Sequence, residues 1–103
     1  MSEISFPTPY RSSPVFDERS LPNALRREHR TKQGVWGVVR VIEGQLKLTY
    51  TETGEERMLS PGAPGLILPN QPHFVEAQGA MRMQVDFYDQ CPDPLHPGCG
   101  LEG

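Results

Sequence analysis

Turn signals fall every several residues along this chain, and only short extended runs fit between them. There are 11 prolines and 10 glycines in 103 residues. Val35 to Glu43, VWGVVRVIE, is rich in β-branched and aromatic residues and reads as the strongest strand. A turn at Glu43-Gly44 returns the chain through Gln45 to Thr51, where Leu46, Leu48 and Tyr50 alternate with Lys47 and Thr49. That period of two gives a strand with one buried and one wet face. Turns at Glu52 to Glu55 and at Pro61-Gly62 bracket a short strand over Glu56 to Leu59. Leu66-Ile67-Leu68 reads as a short buried strand ending at Pro69-Asn70-Gln71-Pro72, because proline cannot donate to a ladder. His73 to Ala77 begins a further strand just past that rigid turn.

The last strand spans Met81 to Tyr88, with Met81, Met83, Val85 and Phe87 on one face and Arg82, Gln84, Asp86 and Tyr88 on the other. The apolar stripe is the domain's own core or, in the second reading, a homodimer contact. Towards the N-terminus, Pro14-Val15-Phe16 fits a short edge strand. One helical turn fits within Asp17 to Arg27, where Ser20 is a possible N-cap before Pro22. The organisation expected is an arm at 1–10, an antiparallel β-sandwich or barrel at 11–89 and a Pro/Gly-rich tail at 90–103.

Length limits the chain to one domain. A net charge of −3 gives no footprint for nucleic acid. No apolar run is long enough for a membrane helix, and no secretory leader is visible. The expectation is a cytoplasmic protein. Two cysteines do not make a disulfide framework, so Cys91 and Cys99 are expected as reduced thiols, with a Cys91–Cys99 bridge or a zinc site including His96 as lesser alternatives.

His73 has a plain reading, a ring that hydrogen-bonds to a loop, and a functional one, a metal ligand or acid–base group aimed by its turn. His29, in the charge-dense Leu25 to Lys32 segment, has the same two readings. Together they supply two imidazole ligands; a carboxylate from Glu76 or Asp86 is the third candidate. Strict alternation places Glu76 on the face opposite His73 unless a bulge intervenes. Asp86 serves as a ligand, or orients a ligand histidine, only if its face looks into the barrel mouth; if that face looks out, Asp86 is solvated surface. Such a ligand set would suit a divalent ion, Zn, Fe, Mn or Ni, with an open position for a small molecule or oxyanion. Arg40, Arg82 or Lys32 would steer an anion, and Tyr50, Tyr88 and Trp36 would line the mouth, though Trp36 fits core packing better.

His29, Gly44, Gly62, Pro69 and His73 occur in the order of a small cupin barrel, which this sequence resembles. The rest of the first cupin motif is missing: Thr31 stands two residues after His29, and Gly37 lies near the expected glutamate. A more specific resemblance runs from Leu21-Pro22 through Leu25, His29, Thr31-Lys32, Gly34 and Trp36. It continues at Gly44 and Leu46, at Pro72-His73 and Val75-Glu76, and at Asp86-Phe87-Tyr88. In these residues the chain resembles the N-terminal cupin-like domain of bacterial tellurite-resistance protein B and the stand-alone YeaR-like proteins. The resemblance implies an all-β double-stranded β-helix, a jelly-roll-like antiparallel barrel. It also implies a metal site around His29 and His73, a possible homodimer, and a role in stress or tellurite resistance. The tellurite protein's methyltransferase is not expected in a chain of this length.

Overall fold

The structure, a computed structural model, describes residues 7–92. Strand β1 (Arg11–Ser12) and strand β2 (Phe16–Asp17) precede a single helical turn, α1 (Asn23–Arg26). Six longer strands follow: β3 (Trp36–Glu43), β4 (Leu46–Tyr50), β5 (Glu55–Leu59), β6 (Gly65–Ile67), β7 (His73–Ala77) and β8 (Arg82–Tyr88). All pairings are antiparallel, as expected for strands joined by tight turns. The first sheet has the order β1-β8-β3-β6, with β2 also on β8; the second has β5-β4-β7.

The period-two reading fixes the core. Val39 and Val41 of β3, Met83 and Val85 of β8, and Ile67 of β6 point from the first sheet to the interior. Leu46 and Leu48 of β4, Leu59 of β5 and Val75 of β7 meet them from the second. Met81 and Met83 are nearly fully buried, so the methionine stripe is the domain's own core. Gly44 makes the β3–β4 turn at φ +81, and a Cβ there would lie 2.3 Å from the Ala80 carbonyl oxygen. Only glycine fits that turn.

Four expectations need correction. The barrel is not closed: among the described residues no strand of one sheet pairs along its length with a strand of the other. The edge strand near Pro14 is two short pieces on either side of that proline. Helix α1 begins after Pro22 with no side-chain cap. Ser20 instead belongs to the preceding turn, where Asp17 Oδ1 accepts from the amides of Arg19 and Ser20. Those bonds hold the Asp17 carboxyl below its ordinary value. Trp36 lies on the outer face of β3 opposite Tyr88, half-buried rather than in the core.

Candidate functional site

The turn before β7 is built from residue chemistry. The Gln71 amide donates to the Leu68 carbonyl at 3.1 Å, closing a four-residue turn with Pro69 and Asn70 at its centre. Asn70 has φ 59, the left-handed conformation that a type II turn requires after proline. The Gln71 side chain accepts from the Leu68 amide at 2.9 Å. The Thr31 hydroxyl donates to the Leu68 carbonyl at 3.3 Å and accepts from the Asn70 amide at 3.2 Å. Thr31 thereby fastens the segment carrying His29 to the turn that presents His73.

The two histidines then meet directly. His29 donates its amide to the His73 carbonyl at 2.9 Å, and His73 returns the bond at 3.0 Å. An antiparallel pair of this kind puts both side chains on one face. Their ring centroids are 4.1 Å apart and the planes are tilted by 54°. His73 Nδ1 lies 2.8 Å from the Gln71 carbonyl, and His29 Nδ1 lies 3.1 Å from that of Arg27. A carbonyl only accepts, so each Nδ1 carries the proton, and on a neutral ring Nε2 keeps its lone pair. His73 is 4% exposed. Burial pushes its pKa down to about 4, against the Gln71 hydrogen bond and with the help of neighbouring His29. His73 is therefore neutral at pH 7. Among the described residues only Trp36 Nε1 and Thr49 Oγ1 are sealed side-chain polar atoms without a partner. His73 Nε2 has no partner and is not one of these, so it is reached from the adjoining pocket.

That pocket, of about 480 Å³, opens between the two sheets. Val39, Met83, Val85 and Phe87 wall it from the first sheet, and His73 and Val75 from the second. His29, Leu25 and Phe16 close further sides. Arg11, Arg30 and Lys32 line it as well, all exposed, and no carboxylate does. None of the three cations has an ion-pair partner among the described residues.

The other expected site residues lie elsewhere. The β4–β7 register runs without a shift, so no bulge turns Glu76 inward; it is exposed and pairs with Lys47 at 3.4 Å. Asp86 is on the outer face of β8 but buried, gripped by Arg40 at 2.6 Å and by the Ser12 hydroxyl at 2.7 Å. Burial raises its carboxyl, and the hydrogen bonds from Arg40 and Ser12 overcome this and hold it below its ordinary value. Arg40 is thus committed to Asp86 and Gln84, and Arg82 lies near Glu43 at 3.6 Å. Tyr50 stands opposite His73 across β4–β7, but its hydroxyl donates to the Leu66 carbonyl at 2.6 Å. Tyr50 and Tyr88 line a second pocket of about 460 Å³. Among the described residues no His, Cys, Asp or Glu joins the histidine pair to make three ligands. Cys91 is disulfide-bonded, correcting the expected reduced thiol; Cys99 and His96 lie outside the described residues.

Sequence reasoning reached both histidines and Lys32 but missed Arg11, Arg30 and the role of Thr31. Arg30 and Lys32 flank Thr31 immediately after His29, so that signal lay in the charge-dense segment.

These features place the chain in a family. The TehB-like domain matches residues 11–85, and the chain belongs to the TehB-like domain family. It is 34% identical over 73 residues to the probable S-adenosyl-L-methionine-dependent methyltransferase TehB of Haemophilus influenzae KW20/Rd. The match takes in 66% of this chain and 26% of that protein. The protein of the same name from strain 10810 is 33% identical with the same coverage. The chain thus spans about a quarter of the length of the curated relatives it matches. The crystal structure of TehB from H. influenzae superposes with a TM-score of 0.69 at 30% identity, over 77% of this chain and 30% of that one. A crystal structure of a protein from Escherichia coli K12 gives 0.70 at 21% identity, over 84% and 95%, a likeness of fold. No helix among the described residues is long and apolar enough to cross a membrane.

Proposed function

We propose that this TehB-like domain is a binding module that holds a small anionic molecule between its sheets, over His29 and His73. The observation that carries the reading is the pocket's charge: Arg11, Arg30 and Lys32 line it beside the two histidines, and no carboxylate does. Such a site attracts anions and disfavours cations. The finer fold reading is a cupin-like jelly roll. It is supported by a five-stranded antiparallel sheet packed on a three-stranded one, with the isolated His29 bridge on the free edge of β7.

A second reading is favoured by the tautomers. With each Nδ1 committed to a carbonyl, His29 and His73 would offer Nε2 as two ligands to a divalent metal, Zn, Fe, Mn or Ni. The metal would act as a Lewis acid towards the anion. Tellurite and related oxyanions enter the ligand set by family likeness alone. Methyl transfer is not assigned, because the chain covers 26% of the relatives whose names carry it.

The test is isothermal titration with small anions, alongside elemental analysis, on the parent and on His29→Ala and His73→Ala. Saturable anion binding to the parent is expected. Near-stoichiometric metal lost in both folded variants would establish the second reading. No binding of any anion would remove the first.

A further inference from the structure

The ligand's chemical class follows from which polar group sits where in the pocket; this inference rests on the anion-binding reading above. We propose that the pocket takes an organic anion with an apolar body and an O–H or N–H donor at its far end, rather than an inorganic oxyanion. Three observations on different parts of the cavity converge on it.

The first is the floor. His73 Nδ1–H is spent on the Gln71 carbonyl, and Nε2 is open to the pocket with a lone pair. A neutral imidazole in that tautomer only accepts. A carboxylate or other oxyanion placed there would face lone pair against lone pair. A hydroxyl or N–H would find an acceptor fixed by its turn.

The second is the rim. Arg30 and Lys32 lie one and three residues past His29, on the chain leaving the bridge, and Arg11 comes from β1 across the opening. All three are exposed and without ion-pair partners among the described residues. The Arg11 guanidinium stands 5.9 Å from the centroid of the Phe87 ring, one of the pocket's apolar walls. The negative end of a ligand is held here, at the mouth.

The third is the space between. Val39, Val75, Met83 and Val85, all buried, line the same cavity as the buried His73 and the three exposed cations. An inorganic oxyanion reaching the floor would lose its hydration against aliphatic walls without a donor to replace it. An apolar body gains from the same walls. A cavity of about 480 Å³ has room for a ring or short chain spanning both ends.

The experiment is isothermal titration of the protein at pH 7 with four probes: 4-hydroxybenzoate, benzoate, 4-hydroxybenzyl alcohol and sulfate. The double variant Arg30→Ala/Lys32→Ala is titrated in parallel, since both residues are exposed and neither belongs to the core. The hydroxy acid is expected to bind tightest. Benzoate falls by roughly fivefold for the lost floor hydrogen bond, and the neutral alcohol by roughly tenfold for the lost charge. The double variant weakens both acids and leaves the alcohol unchanged. Sulfate binding as tightly as the hydroxy acid overturns this inference and leaves the anion site standing. Equal binding of the acid and the alcohol overturns the assigned rim. Binding of none of the four overturns the inference together with the anion-binding reading.

Discussion

His29 and His73 exchange both backbone hydrogen bonds, at 2.9 and 3.0 Å, although 44 residues separate them in the chain. This single bridge does the work of a strand pairing. It adds the segment before β3 to the free edge of β7 and brings two tilted imidazoles to 4.1 Å between ring centres in the wall of a pocket. The site is therefore only as rigid as that bridge and the turn beside it.

A pH dependence follows from the burial of His73. Its folded pKa of about 4 lies below the ordinary 6.5, so the unfolded chain binds the extra proton first. Stability is then full above about pH 7 and falls as the pH drops through 6.5 towards 4. The loss is on the order of 3 kcal/mol if the whole shift is expressed. Asp86 is shifted in the same direction, but from the lower ordinary value of a carboxyl, so its contribution is lost only as the pH falls below that window. Urea denaturation at pH 7, 6 and 5 checks this. The parent should lose stability across the series, and His73→Gln should flatten most of the slope. An equally steep slope in the variant would mean that another group carries it.

Thr31 holds the turn that holds His73. Thr31→Val keeps the shape and removes both hydroxyl contacts, to the Leu68 carbonyl and from the Asn70 amide. The expected cost is about 1–2 kcal/mol. Because the contacts are local to the bridge, amide hydrogen exchange at His29 and His73 should quicken more than at Leu48 in the core. Uniform quickening would show that Thr31 matters only for global stability.

Much of this was legible in the sequence, and the misses have physical causes. Period two along β7 sends Glu76 to the face opposite His73, as alternation requires, whereas the face of β4 expected to be wet carries the buried Thr49. Asp86 fell outside both expected environments because alternation tells a face but not what covers it. On the outer face it is buried by Arg40 and Ser12, residues 46 and 74 positions away. Trp36 was misplaced for a related reason: β propensity says strand, but the first residue of β3 happens to fall on the outward phase. The openness of the two sheets was hidden because strand pairing between distant segments leaves no trace in local pattern. Arg11 joined the pocket through tertiary folding alone, from a strand 18 positions before His29.

The Arg40–Asp86 pair should separate stability from binding. Arg40→Ala leaves a buried carboxylate without its cation, at an expected cost of roughly 3 kcal/mol. Asp86→Asn keeps the shape and leaves a half-exposed guanidinium that water can solvate, at roughly 1–2 kcal/mol. Neither residue lines the histidine pocket, so anion affinity of the folded variants should match the parent within about twofold. Chemical denaturation gives the first quantity and titration calorimetry the second. A large loss of affinity in folded Asp86→Asn would tie the outer face of β8 to the site.

The glycine turns offer a test of geometry against composition. Gly44 and Gly54 have nearly the same backbone, at φ +81 and +77, so alanine at either suffers the left-handed penalty of about 1 kcal/mol. Their surroundings differ. A Cβ at Gly54 meets nothing within 4 Å, whereas at Gly44 it would lie 2.3 Å from the Ala80 carbonyl and 2.8 Å from Met81. Met81 is buried, so its backbone cannot retreat without opening the core. Gly54→Ala should therefore cost about 1 kcal/mol and Gly44→Ala about 3 kcal/mol or more. Thermal melts of the two variants decide it. Similar midpoints would mean that the 79–81 connection yields easily, and that the β3–β4 turn is not pinned against the start of β8.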